Sequence, residues 1–326
     1  MKAIVYHNSG SGDVLELAEI EKPVPADDEI LIKVRAASVN PLDYHLLGHA
    51  FLRRVISTAS KAKNTRPGRD VAGEVEAVGR NVTQFKQGDE VFGACSGAFA
   101  EYACARESAL AIKPTNVSFY QAASVPVAGL TALQAFRDKA QVQPGQKVLI
   151  NGAAGGVGTF AVQIAKTFGA EVTGVCSTRN VEMVRSIGAD TVIDYTREDF
   201  TSNGQRYDVI LDLVSNHSFS EHRRALTPNG IYIGAGAIAL HGSMIGILAA
   251  RMTELVRSPF VSQKFISVLA RLNQKDLSVL AALMTEGKLT PVIDRRYSLS
   301  EVHDAVRYLE EGHARGKVII EVDQPA

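Results

Sequence analysis

The chain has 326 residues, enough for two domains at roughly 100–200 residues each. Hydrophobic residues are 46% of it and charged residues 21%, so a large core is available and wholesale disorder is excluded. Lys and Arg together number 35, as do Asp and Glu, and a formal net charge of zero argues against a broad nucleic-acid footprint.

Met1-Lys2-Ala3-Ile4-Val5-Tyr6 reads straight into a strand, without the apolar region and cleavage site of a signal peptide. No apolar run reaches the ~20 residues of a membrane span. Cys95, Cys104 and Cys176 are few, odd in number and far apart, which argues against a disulfide framework and fits a reducing, cytoplasmic setting. Residues 29–35, 71–79, 89–93 and 98–103 read as strands of a small β-rich region. Residues 119–139 are Ala-rich at helical spacing, with a break at Pro126. From residue 147 strands and helices alternate: strands at 147–150, 171–176, 191–195, 209–214 and 231–234, helices at 157–168, 181–187 and 219–226. Such alternation predicts a parallel sheet with helices on both faces. Residues 238–272 break the pattern with two helix-like stretches, 240–256 and 261–272, split by Ser258-Pro259. They read as an insertion on its own core; a substrate-pocket wall and a membrane-surface helix are the alternatives. A last helix at 300–311, with Ser300 as its N-cap, and a strand at 317–322 close the chain.

The most informative stretch is Asn151-Gly152-Ala153-Ala154-Gly155-Gly156-Val157-Gly158, between a buried strand and a helix. That setting is what a dinucleotide fingerprint requires, and Gly156, Gly158 and Ala161 fit its strict spacing. Gly155, Gly156 and Val157 are the candidate pyrophosphate contacts, because glycines admit close approach and the helix start offers free N–H groups. The end of the following strand, where an NAD site usually places Asp or Glu, reads Cys176-Ser177-Thr178-Arg179-Asn180. Ser177, Thr178 and Arg179 there suit a 2′-phosphate, so NADPH is the expected cofactor. Tyr195 either lines the adenosine end or simply packs.

Ser38-Val39-Asn40-Pro41-Leu42-Asp43, Pro67-Gly68-Arg69-Asp70-Val71-Ala72-Gly73, Gly88-Asp89-Glu90-Val91-Phe92-Gly93, Gly129-Leu130-Thr131-Ala132 and the glycine turn occur in this order. Together they make the chain resemble the medium-chain dehydrogenase/reductase superfamily, in its zinc-independent quinone oxidoreductase-like branch. The resemblance implies an α/β protein: a GroES-like β-rich catalytic domain at 1–122, completed by about 288–326, and a Rossmann domain with a doubly wound parallel sheet at 123–287. It also implies an active site in the cleft between them and a homodimer. Zinc-dependent relatives carry Cys near Val39, a His-Glu pair where this chain has Arg69-Asp70, and a four-cysteine lobe where only Cys95 and Cys104 fall. His45 and His49 lack a third ligand nearby, so no metal is expected.

Without a metal, a conjugated acceptor is the favoured substrate. Hydride added to a quinone or an α,β-unsaturated carbonyl places charge on an oxygen that hydrogen-bond donors can stabilise. The resemblance places Asn40 beside nicotinamide and substrate, Thr131 at the nicotinamide ribose or amide, Gly234 and Ala235 near the nicotinamide, and Lys317 near the cofactor from the returning tail. His45 stands where the family often has Tyr or Lys and is a candidate proton donor. Asp43 orients a neighbour or is a helix-start charge. The basic stretch 49–66 reads as a solvated loop or as an attractor for anions. The rival readings are a metal-free alcohol or carbonyl oxidoreductase and an NADPH-binding sensor without turnover. Neither nucleic acid nor stable membrane insertion is expected.

Overall fold

The structure, a computed structural model, describes residues 1–6, 15–43, 66–235 and 262–322. His45, His49, the basic loop before Arg66, Gly236 and the stretch 240–256 lie outside them. The described chain divides into two units: Met1–Leu130 with Leu272–Gly287 and Pro291–Ala326, and Thr131–Arg271 with Lys288–Thr290. Both are mixed α/β, as expected of the fold class.

In the first unit the β-branched runs form β1 (Lys2–Tyr6), β2 (Leu15–Glu19), β3 (Glu29–Val39), β4 (Asp70–Val78), β5 (Glu90–Ala94), β6 (Tyr102–Arg106) and β7 (Leu110–Ile112). Residues 98–101 were expected in a strand, but they make only an isolated bridge, Ala3 to Ala100. The backbone N–H groups of Gly97, Ala98 and Phe99 donate instead to the carbonyls of Gly68 and Pro67. Gly97, at φ +81°, turns the chain there, so the ladder starts only at Tyr102. Two short helices follow, α1 (Phe119–Ala123) and α2 (Pro126–Gln134), separated at Pro126.

The second unit is a six-stranded parallel sheet. Its strands are β8 (Lys147–Asn151), β9 (Glu171–Cys176), β10 (Thr191–Asp194), β11 (Tyr207–Asp212), β12 (Leu226–Ala235) and β13 (Lys264–Val268), in the spatial order β10-β9-β8-β11-β12-β13. This is the doubly wound order, with its switch point between β8 and β11. The helices α3 (Gly156–Thr167), α4 (Val181–Ser186) and α5 (Phe219–Ala225) connect its strands. Helix α3 buries Phe160, Ala161, Val162, Ile164 and Ala165.

Lys264–Val268 corrects the expectation of a helix at 261–272. Its alternation is short, and three aromatic or β-branched side chains (Phe265, Ile266 and Val268) favour a strand once a neighbour offers hydrogen bonds. Residues 231–235 of β12 provide that register, and Phe265 packs at 4.3 Å from Phe219 and 5.3 Å from Tyr232. Residues 264–268 therefore extend the sheet instead of belonging to a helical insertion.

Beyond it, α6 (Gln274–Thr285), β14 (Ile293–Ser298), α7 (Val302–Glu310) and β15 (Lys317–Glu321) complete the first unit. Ser300 does not cap the last helix: its N-cap is Glu301, and Ser298 caps the 3₁₀ turn Leu299–Glu301 that leads into it. Ser298 and Glu301 form a reciprocal capping box around a 3₁₀ turn, while the Ser300 hydroxyl lies 2.9 Å from that of Ser298. The main sheet runs β14-β15-β3-β4-β5-β7, with β6 also pairing with β3. Its core includes Ile30, Ile32, Val34, Val71, Val91, Phe99, Val302 and Ile320. Antiparallel pairing of β15 with β3 sets Val318 opposite Val39. The C-terminal tail thus meets the residues that precede Asn40.

Candidate active site

In the second unit the candidate cofactor residues gather at one edge of the sheet. Asn151 ends β8, Cys176 ends β9 and Asp212 ends β11, and Asp212 stands in register with both Asn151 and Gly234. The turn after β8 holds Gly152 at φ +87°. Gly155 is the N-cap of α3, and Gly155, Gly156 and Val157 are half-buried. A Cβ on Gly158 would collide with the Gly152 carbonyl, so this glycine lets the helix close on the turn. A Cβ on Gly155 would meet only the Gly152 oxygen at 3.4 Å, which leaves an open cradle beside the helix start.

Ser177, Thr178 and Arg179 follow β9 in a 3₁₀ turn, with Thr178 and Arg179 exposed. Asn180 is buried, and its Oδ1 has no hydrogen-bond partner among the described residues, while its Nδ2 donates to Ser177 Oγ at 3.2 Å. An orphaned buried acceptor beside this turn, together with the open glycine cradle, fits a dinucleotide. Tyr195 is 60% exposed at the end of β10, so it is not a packing residue.

Reading β9 alone missed a carboxylate. Thr178 donates to Asp194 Oδ2 at 2.6 Å, and Thr196 donates to Oδ1 through both its N–H and its hydroxyl. These bonds, the one from Thr178 foremost, hold Asp194 below the usual carboxylate range. The residue lies on the next strand but pairs in register with Cys176, which the linear spacing cannot show.

A second missed group is Asp212, fully buried at the switch point. It accepts from Asn151 Nδ2, the N–H groups of Val214 and Ser215, and the Tyr232 hydroxyl, at 2.9–3.0 Å, and His222 Nε2 lies 3.2 Å away. Burial alone would raise its carboxyl, but the nearby His222 imidazole and the two N–H groups hold it down to about 2. An Asp that closes the apolar run Val209-Ile210-Leu211 was the available signal. Gly234 and Ala235 are buried in β12, and Thr131 is buried in α2.

In the first unit Asn40, Asp43 and Lys317 come together, joined by Ser38 and Asp70. Asn40 and Asp43 bracket the first turn after β3: the Asn40 N–H donates to Asp43 Oδ2 at 2.8 Å, and the Asp43 N–H returns to the Asn40 carbonyl at 2.9 Å. Asn40 Nδ2 donates to Asp70 Oδ2 at 2.9 Å, and Lys317 Nζ donates to Asn40 Oδ1 at 2.7 Å. Ser38 donates to Asp70 Oδ2 at 2.8 Å, and the N–H of Val127, in the first turn of α2, donates to Oδ1 at 3.0 Å. All five side chains are buried. Burial pushes the Asp43 carboxyl up to about 7, with a smaller push from Asp70, while the Asn40 N–H, Lys317 and Arg69 oppose it. Burial lowers the Lys317 ammonium, with Asp70 and Asp43 opposing that shift. Among the described residues no group of three or more His, Cys, Asp or Glu could hold a metal ion.

A unit with a doubly wound sheet and an open glycine cradle, and a β-rich unit carrying buried acid, amide and amine groups, are the parts of a nucleotide-dependent oxidoreductase. Comparison with known proteins agrees. Residues 26–115 match the family described as alcohol dehydrogenase GroES-like domain, and residues 187–320 match that described as zinc-binding dehydrogenase. The chain is 35% identical to the chloroplast envelope quinone oxidoreductase homolog of Arabidopsis thaliana, over 98% of each chain. It is also 35% identical to the NADPH-dependent alkenal/one oxidoreductase of the same plant, over 98% of this chain and 79% of that one. The solved quinone oxidoreductase from Coxiella burnetii superposes with a TM-score of 0.86, at 34% identity and 99% coverage of both chains. The chain therefore belongs to the quinone oxidoreductase-like branch of the medium-chain dehydrogenase/reductase superfamily, and it is an enzyme.

Proposed function

We propose that the enzyme reduces a quinone or an α,β-unsaturated carbonyl with NADPH and without zinc. One observation carries the metal-free reading. Asp70, in the pair that stands where zinc-dependent relatives have His-Glu, commits one oxygen to Val127 and the other to Ser38, Asn40 and Lys317. A carboxylate so engaged has little left for a cation. NADPH is favoured by Ser177 and Arg179 after β9 and by the printed name of the alkenal/one oxidoreductase relative, while the Thr178 hydroxyl is spent on Asp194. The quinone and enone classes follow the relatives' names.

When bound, the dinucleotide supplies a hydride from its nicotinamide ring. Gly155, Gly156 and Val157 would hold the pyrophosphate at the start of α3, and Ser177, Thr178, Arg179 and Tyr195 the adenosine end. Gly234 and Ala235, which end β12, would flank the nicotinamide half. Asn40 would lie beside the nicotinamide and substrate, held there by the donor that Lys317 spends on it and by the bond that its own amide gives to Asp70. Asp43, with its carboxyl at about 7, holds a proton at neutral pH in a fraction of molecules and is the described candidate for proton storage. We further place the enzyme in a reducing, cytosol-like compartment, as a homodimer; its three cysteines are free thiols.

The test is oxidation of NADPH and NADH, followed by absorbance after chelator treatment, with matched quinone and enone acceptors. Turnover with NADPH that survives chelation supports the proposal. Loss on chelation overturns the metal-free reading, and a preference for NADH overturns the cofactor assignment.

A further inference from the structure

We propose that Asp70 is a positioning residue: it locks the Asn40 side-chain amide in one orientation, with Nδ2 toward its own carboxylate and Oδ1 toward Lys317. That Asn40 serves turnover rests on the function proposed above; the orientation itself does not.

The lock follows from donor and acceptor types. Asn40 Nδ2 lies 2.9 Å from Asp70 Oδ2, and Asn40 Oδ1 lies 2.7 Å from Lys317 Nζ. A flip of the amide would set its oxygen against a carboxylate oxygen and its NH₂ against an ammonium. Both contacts would turn repulsive, and no solvent reaches the cluster to compensate, since Asp70 is 0% exposed and Asn40 and Lys317 are 3% exposed. The carboxylate is itself held at both oxygens. Oδ1 receives the Val127 N–H from α2, and Oδ2 receives Ser38 from the end of β3. It cannot rotate without breaking one of these bonds. Asp70 thus ties together the ends of β3, β4 and β15 and the start of α2 through a single group.

In D70N the side chain keeps its shape. If its oxygen stays on the Val127 N–H, its NH₂ faces three donors: Ser38, Asn40 and Lys317. Asn40 is then expected to turn its oxygen to that NH₂, which deprives Lys317 of its closest acceptor.

Two readouts test this. The first is the side-chain amide signals of Asn40 in ¹⁵N-asparagine-labelled full-length protein, assigned by comparison with N40A. In D70N they are expected to move, with solvent exchange faster by about tenfold. Unmoved Asn40 signals overturn the proposal, whether or not the enzyme turns over any acceptor; absence of turnover by the wild type counts only against the proposed function. The second readout is kinetic. D70N is expected to lose about 10- to 100-fold in kcat with the cofactor KM within about threefold. Because Asp70 acts through Asn40, the double variant N40A/D70N is expected to be no slower than N40A alone. Losses that multiply would overturn the proposal. Should D70N fail to fold, K317M retains Asp70 and removes the other partner. The Asn40 Nδ2 signals then stay in place if Asp70 is the lock, and their displacement would refute it.

Discussion

Replacing Asp43 with Asn is expected to remove a pH dependence of stability that the wild type carries between pH 5 and pH 8. In the folded protein the Asp43 carboxyl stands at about 7 against an ordinary 3.8, chiefly because it is buried. The native state therefore binds this proton more tightly than the unfolded chain does. Its contribution is complete below the ordinary value and is lost as pH rises through 7. From these two values the wild type loses on the order of 2–3 kcal/mol between pH 5 and pH 8 through this group. The groups facing it are Asp70, Lys317 and Arg69. Asn keeps an oxygen for the Asn40 N–H but does not ionise, so D43N should gain on the wild type by about that amount across the interval. Urea unfolding of both proteins at pH 5 and pH 8 measures it. A wild type–variant gap that stays constant within about 0.5 kcal/mol would refute the burial argument.

Gly158→Ala is expected to force α3 away from the Gly152 carbonyl, costing about 1–3 kcal/mol and weakening dinucleotide binding, as read by thermal unfolding and cofactor fluorescence titration. Tight binding by a normally stable G158A would refute the close-packing role. Asp212→Asn should be destabilised by about 2 kcal/mol at pH 7, because a carboxyl held at about 2 instead of 3.8 contributes that much at neutral pH. This contribution fades as pH falls through 4 to 2, so unfolding at pH 7 and pH 3 should show the gap narrowing by about 1 kcal/mol.

Local pattern carried much of this molecule. The strand at Glu171–Cys176 and the helix at Gly156–Thr167 followed from alternation and from the glycine turn, because burial periodicity and backbone freedom are properties of short segments. The candidates Asn40, Asp43 and Lys317 came from resemblance, not from spacing. The sequence could not say that they share one buried network, since 277 residues separate Asn40 from Lys317. Their meeting depends on β15 pairing with β3. Asp70 gains its place from the pairing of β4 with β3, which sets it opposite Ser38, and Asp194 reaches Thr178 only because β10 lies beside β9. Lys264–Val268 shows the reverse case: a helix-like stretch became a strand because the edge of β12 offered it hydrogen bonds and an aromatic floor. Sequence alone determined which segments are apolar, where the chain turns and that a glycine-rich turn joins β8 to α3. Tertiary structure decided which buried charges face one another, because hydrogen bonding at 3 Å depends on strand neighbours and not on distance along the chain.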